Sequence, residues 1–168
     1  MDHHPINAHN YDMPLVWRAM LAFLALPFVV AGVVPFVFLW PNSRHLPYGL
    51  PVIAIGVALL VWCVREFYSA GKGTLAPWDP PRHLVTSGPY RYSRNPMYVA
   101  VLMILAGWAL SLDITSYRAP WQYALFMAIV FHLRVVLFEE RWASEKFGAQ
   151  WNDYAASVPR WLGRRRVG

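Results

Sequence analysis

Four stretches that each carry a long apolar run most constrain what this chain can fold into. They cover residues 15–40, 48–69, 96–112 and 119–147, and about 20 apolar residues suffice for an α-helix to cross the hydrocarbon of a bilayer. Only 14% of the 168 residues are charged and 57% are hydrophobic, a balance unlike that of a soluble domain. The sequence therefore predicts a single all-α domain, a multi-pass transmembrane helical bundle of about four spans.

The basic residues predict how this bundle is oriented. The loop 70–95 holds four Lys and Arg, the tail after Glu139 holds six, and the other two connections hold one each. With four spans, both basic segments and the N-terminal tail, 1–14, fall on the same side. Because Lys and Arg are enriched in cytoplasmic loops, we expect that side to be cytoplasmic. The segment 148–168 is then a cytoplasmic C-terminal helical extension.

The positions of the basic residues and of the single cysteine also indicate which binding partners and which covalent or metal links to expect. The bases are confined to two loops that suit an anionic lipid surface, so we expect the lipid bilayer, and no nucleic acid, as a partner. Cys63 is the sole cysteine and lies in an apolar run. The sequence thus predicts neither an internal disulfide nor a metal site.

The stretch GPYRYSRNPMY, residues 88–98, is polar and basic but leads directly into an apolar helix. Asn95 followed by Pro96 is typical of a helix start, since Asn is a good N-cap and Pro is favoured at the first helical position. That structural role does not exclude a second one. A helix N-terminus is an anion site, and Arg91 and Arg94 strengthen it.

The pair Glu139-Glu140 marks the end of the fourth span. Ionisable groups near membrane depth are functional candidates, although acidic residues at a helix edge are often merely solvated. We expect Arg134 to pair with one of these glutamates or with Glu66. His132 lies on the same helical face as Glu139 and is either an interhelical hydrogen bonder or a member of the site.

These motifs occur in an order that resembles a known group of proteins. GPYRYSRNPMY is followed by EERWASEKFGAQWNDYAASVPRW, and GKGT precedes both. Together they resemble the integral membrane methyltransferases of the isoprenylcysteine carboxyl methyltransferase and phospholipid methyltransferase superfamily. The resemblance covers roughly residues 71–161 and implies S-adenosylmethionine as cofactor. Many relatives have His at the position of Asn95.

The resemblance also implies a set of site residues. The candidate cofactor-binding residues are Gly71, Gly73, Thr74, Tyr90, Arg94, Asn95, Pro96, Tyr98, Glu139 and Glu140. The candidate catalytic residues are Glu139, Glu140, Arg134 and His132. Arg94 at the helix start suits the carboxylate of the cofactor, and the glutamates suit its ammonium.

The methyl acceptor remains open at this point. A lipophilic carboxylate, a thiol, a phospholipid amine or another small lipophilic molecule all fit. Two other functions stay as alternatives: a membrane reductase related to the sterol reductases that uses NADPH, and a non-enzymatic membrane assembly protein.

Overall fold

The computed structural model describes residues 24–39, 47–72, 82–111 and 118–163. These residues form helices and connecting turns without any strand, so the predicted all-α class is confirmed. The helices are α1, which is π-helical over Leu24–Val33 and Pro35–Leu39, α2 (Leu50–Ser69), α3 (Pro96–Ser111), α4 (Ala119–Arg134), α5 (Glu140–Phe147) and α6 (Ala149–Ser157). A wide π turn, Val135–Glu139, joins α4 to α5 without a break.

Two of these helices are long and apolar enough to cross a membrane. They are α2, with 20 residues, and the continuous helix Ala119–Phe147, with 29 residues. Only 17% of the apolar window of each is buried within the protein. The apolar side chains therefore face outward, as they do in a membrane protein and not in the core of a soluble one. Two shorter apolar helices, Phe28–Val37 and Pro96–Ser111, accompany them.

The predicted helices can be compared with these bounds where the structure describes them. The stretches 48–69, 96–112 and 119–147 correspond in position to α2, α3 and the continuous helix of α4 and α5. The predicted first helix, 15–40, begins outside the described residues, and only its later part is seen as α1.

Glycines let α2 and α3 approach each other closely. A Cβ atom on Gly107 would lie 2.5 Å from Ile53 Cγ1 and 2.9 Å from the carbonyl oxygen of Gly49. A Cβ atom on Gly56 would lie 2.8 Å from Ile104 Cγ1. Small residues of this kind are how helices pack in a bilayer, where there is no hydrophobic gain from association. This contact fixes the position of α3, whose first residues belong to the site.

Aromatic side chains attach α1 to the rest of the bundle. Trp108 on α3 donates from Nε1 to the carbonyl of Ala31 at 2.8 Å, and Tyr123 on α4 donates from its hydroxyl to the carbonyl of Val30 at 3.1 Å. Leu105, Met127 and Phe131 contribute to the apolar core between these helices.

The glycine contact yields a first prediction. Gly107→Ala should lower the melting temperature in detergent, because forcing a methyl group into a packed interface costs about 1–3 kcal/mol. Alanine raises helix propensity by about 1 kcal/mol, which offsets part of this loss.

Gly32→Ala on α1 is the matched control, since among the described residues its new Cβ would meet just the Phe28 ring, at 3.6 Å. A Gly107→Ala protein that melts at or above the temperature of the Gly32→Ala protein would show that α2 and α3 do not depend on this contact.

Candidate functional site

Three parts of the chain meet at one end of the bundle. They are the loop before α3, the junction of α4 with α5, and the segment Val158–Trp161, which we call the C-terminal strap. The backbone N–H of Arg94 donates to the carbonyl of Pro159 at 2.9 Å. The Asn95 side chain donates from Nδ2 to the carbonyl of Arg160 at 2.9 Å. The strap thus lies directly on the motif that begins α3.

The loop before α3 is held in shape by buried contacts. Gly88 has a φ of +55°, and a Cβ atom there would lie 2.8 Å from the carboxyl carbon of Glu66. The positive φ favours glycine at this position, and a larger residue would also displace the Glu66 side chain. Glu66 accepts hydrogen bonds from the Ser87 hydroxyl and from Trp62 Nε1.

A second anchor of the loop comes from α6. The Tyr154 hydroxyl donates to the carbonyl of Tyr90 at 2.8 Å, and both residues are buried. Burial raises the pKa of Tyr154, so its hydroxyl keeps the proton that it donates. The buried ring of Tyr90 packs against Phe67, and its hydroxyl lies beside the Cys63 thiol. These contacts fix the backbone from which Arg94 extends.

Glu140 is shared by two arginines from distant parts of the chain. Arg160 donates from Nε to Oε1 at 2.7 Å and from Nη2 to Oε2 at 2.8 Å. Arg94 Nη1 lies 3.1 Å from the same Oε1. The guanidinium of Arg94 also lies over the Trp151 ring, 5.7 Å from its centre. Glu140 therefore links the loop before α3, the start of α5 and the strap.

Glu139 makes a separate pair. Its Oε1 accepts hydrogen bonds from the Tyr98 hydroxyl and, at 2.7 Å, from Arg134 Nε. Arg134 and Glu139 are five residues apart, a spacing that an α-helix does not place on one face. The π turn between them has i→i+5 hydrogen bonding and brings them together. Oε2 of Glu139 has no hydrogen-bond partner among the described residues.

His132 contacts the strap. Trp161 Nε1 donates to His132 Nδ1 at 3.2 Å, and the two rings stack with their centres 6.1 Å apart. In this contact the Trp161 indole is the donor and His132 Nδ1 is the acceptor. The contact ties the strap to α4.

The charges of the arginines and glutamates that pair here do not balance. Arg94, Arg134 and Arg160 face two carboxylates, those of Glu139 and Glu140, which leaves one positive charge in excess. We call these five residues the arginine–glutamate cluster. The N-terminus of α3 adds further positive potential. The cluster is therefore suited to an anionic group.

Arg94 has a buried donor atom that is not used within the cluster. Its Nε is buried and has no hydrogen-bond partner among the described residues. Burial lowers the pKa of Arg94 in spite of Glu140, whereas the hydrogen bonds from Arg160 to Glu140 raise the pKa of Arg160. Both guanidinium groups stay charged at neutral pH, and an additional anion would stabilise that of Arg94.

The structure gives less information on the other sequence-predicted residues. Pro96 is buried as the first residue of α3. Gly71 lies just after α2, where its carbonyl accepts the N–H groups of Arg82 and His83. Gly73 and Thr74 lie outside the described residues. The structure thus brings Arg94, Asn95, Tyr98, His132, Arg134, Glu139 and Glu140 together through direct contacts or through the strap.

Sequence reasoning missed two residues of this arrangement, Arg160 and Trp161. Both belong to the VPRW stretch. The sequence signal for these two residues is the adjacent basic and aromatic side chains of this stretch, which follows a short amphipathic helix.

The fold and the site define a helical membrane protein with a charged centre at one end of its bundle. The chain matches the pattern of the phospholipid methyltransferase family over residues 45–150, which is more than half of its length, and it belongs to that family. No curated protein and no solved structure matches it. The matched residues include every member of the cluster except Arg160.

The buried tyrosine pair yields a second prediction. Tyr154→Phe removes the donor to the Tyr90 carbonyl and leaves a buried acceptor without a partner, which costs about 1–3 kcal/mol of stability. Thermal unfolding in detergent measures the loss. Tyr92→Phe is the control because the Tyr92 ring is exposed. Equal melting temperatures for the two variants would mean that the Tyr154 hydroxyl does not anchor the loop.

Proposed function

We propose that this protein is an S-adenosylmethionine-dependent methyltransferase that acts on the amine headgroup of a membrane phospholipid. The observation that carries the proposal is the family match, whose residues build most of the arginine–glutamate cluster. Membership of a methyltransferase family implies a methyl donor and supports an enzymatic role. The cofactor and the headgroup amine are our inference from the chemistry of the site.

The cluster fits the amino-acid part of the proposed cofactor. An α-carboxylate suits Arg94, whose buried Nε has no partner among the described residues. An α-ammonium suits Glu140, the carboxylate nearest to Arg94 in the cluster. Charge-assisted hydrogen bonds of this kind are the stronger ones in proteins. When bound, S-adenosylmethionine supplies a sulfonium methyl group for in-line transfer and leaves as the thioether.

Glu139 is suited to the acceptor. Its Oε1 is held by Tyr98 and Arg134, while its Oε2 has no partner within the described part of the chain. An amine headgroup is an ammonium at neutral pH, so it must give up one proton before its nitrogen can form the new C–N bond as the C–S bond breaks. Oε2 of Glu139 accepts the N–H hydrogen bond and then that proton.

The apolar surface of the bundle explains how a lipid reaches this site. The helix that carries Glu139 continues directly from a membrane-length stretch whose apolar side chains face outward. A phospholipid lying along it keeps its acyl chains in the bilayer while its headgroup meets the charged cluster. Positioning of this kind contributes up to about 7–11 kcal/mol of barrier reduction in well-oriented reactions.

The proposed topology has four spans with the site in the cytoplasm. α2 and the continuous helix Ala119–Phe147 are long enough for two of these spans. The shorter α1 and α3 complete the four as the neighbours that pack against them. The basic loop 70–95 and the basic tail after Glu139 then lie on the cytoplasmic face.

The roles proposed for the two glutamates, cofactor binding for Glu140 and proton transfer for Glu139, can be tested separately. Glu140→Gln should weaken binding of S-adenosylmethionine about tenfold or more, since it removes a charge-assisted contact. Glu139→Gln should leave that affinity near the wild-type value and reduce turnover of phospholipid vesicles about a hundredfold, as expected on loss of a general base. Calorimetry and transfer of radiolabelled methyl groups measure the two effects separately.

Glu145→Gln is the matched control, because Glu145 forms an exposed pair with Arg141 on α5 and contacts no member of the cluster among the described residues. Wild-type binding and turnover in both the Glu139 and the Glu140 variants would contradict the proposal. Binding of NADPH in place of S-adenosylmethionine would identify a reductase, and binding of neither would favour a non-enzymatic assembly role.

The topology is tested by labelling single cysteines in intact cells. Cys63 is buried, so we expect it not to react with the label. Tyr92 and Tyr48 are both exposed and lie on opposite sides in the proposed topology. A membrane-impermeant maleimide should reach Tyr48→Cys from outside and should reach Tyr92→Cys only after the cells are permeabilised. Labelling of Tyr92→Cys in intact cells would contradict the cytoplasmic site.

A further inference from the structure

Glu140 is already occupied in this structure. Three donors from two arginines use both of its oxygens, and the bidentate pair comes from Arg160. A carboxylate offers about four lone-pair directions. One acceptor direction, on Oε2, therefore stays open, and an ammonium that is to make more than one hydrogen bond to Glu140 must replace part of the Arg160 contact.

The two arginines differ in how easily they can leave. The Arg94 side chain is 13% exposed, lies over Trp151 and extends from the buried loop before α3. The Arg160 side chain is 37% exposed and extends from the strap near the end of the described chain. Once it leaves Glu140, Arg160 is readily hydrated, whereas Arg94 is not. Arg160 is thus the partner that another cation can displace.

Release of Arg160 weakens the attachment of the whole strap. The strap is held by carbonyl contacts to Ser93, Arg94 and Asn95, by the Arg160–Glu140 pair and by the Trp161–His132 hydrogen bond. The Arg160–Glu140 pair is the only charge-assisted bidentate contact among these, and such contacts are about twice as strong as neutral ones.

We propose that Arg160 is a place-holding residue of the cofactor site. Its guanidinium takes the position on Glu140 that the α-ammonium of the cofactor takes on binding, so that the cofactor enters by displacing Arg160 and loosening the strap. This inference rests on the proposed function. It adds Arg160, which lies outside residues 45–150, the part of the chain that matches the family. It also couples cofactor binding to a movement of the C-terminal strap.

The first experiment compares two probes that differ in the amino-acid group. S-adenosylhomocysteine carries the ammonium, and 5′-methylthioadenosine lacks both the ammonium and the carboxylate. Arg160→Gln should bind S-adenosylhomocysteine about threefold to tenfold more tightly than the wild type, a range set by a charge-assisted contact partly screened by water. Its affinity for 5′-methylthioadenosine should not change.

Arg141→Gln is the matched control, because Arg141 is an exposed arginine that pairs with Glu145 and not with the cluster. Its affinity for both probes should be that of the wild type. Arg160→Lys, which keeps the charge but not the bidentate geometry, should fall between the wild type and Arg160→Gln.

The second experiment leaves Arg160 in place, so it remains informative if Arg160→Gln does not fold. A nitroxide on Leu162→Cys, an exposed position next to the strap, reports its mobility by electron spin resonance. S-adenosylhomocysteine should sharpen the spectrum, and 5′-methylthioadenosine should leave it unchanged.

The outcomes separate the two proposals. If the wild type and all variants fail to bind S-adenosylhomocysteine and S-adenosylmethionine, the proposed function is wrong and the place-holding role falls with it. If the wild type binds, the place-holding role alone is overturned by either of two results. One is weaker or unchanged binding of S-adenosylhomocysteine to a folded Arg160→Gln protein, and the other is a nitroxide spectrum that S-adenosylhomocysteine does not change.

Discussion

The carboxylate of Glu140 is the point on which the arrangement at this end of the bundle depends. It joins Arg94 from the loop before α3 to Arg160 from the strap, and it does so with little exposure to water. Removing charges from water costs about as much as such pairing returns, so a cluster of this kind is a poor source of stability. An excess of positive charge and a buried, unpartnered Arg94 Nε are costly as well. These features make sense if the cluster is organised for an incoming charged ligand.

Two departures from regular helix packing bring the cluster together. The close contact of Gly107 with Gly49 and Ile53 sets α3 against α2, which fixes where the Arg94–Tyr98 region lies. The π turn Val135–Glu139 then places Glu139 beside Arg134 and Tyr98, while Glu140 is directed to Arg94 and Arg160. Single π turns inside α-helices are frequent at functional sites. Neighbouring glutamates can therefore have different partners and, in our proposal, different tasks.

The sequence indicated where the helices lie and which charged residues are site candidates. It indicated much less about which of these residues contact each other. Long apolar runs and the Asn95-Pro96 start are local signals, and α3 does begin at Pro96. The expectation that Arg134 pairs with a glutamate also relied on residues close in the chain. The partners of Asn95 and Glu140 on the strap lie 65 and 20 residues away, and no periodicity reveals such distances. The π turn, likewise, has no simple sequence signature.

Replacement of Arg160 by the ammonium of the cofactor on Glu140 has a limited free-energy cost, because one positive charge takes the place of another. Breaking a buried ion pair by removing one partner costs about 3–5 kcal/mol, since the remaining charge is left without compensation. Replacing a guanidinium by an ammonium leaves Glu140 paired throughout, and the departing Arg160 side chain is already one-third exposed. The net cost is then limited to the hydrogen bonds of the strap, each of which contributes about 0.5–1.5 kcal/mol. In such a site the carboxylate of Glu140 is paired with Arg160 before the cofactor binds. A ligand that carries its own positive charge can still take the place of Arg160.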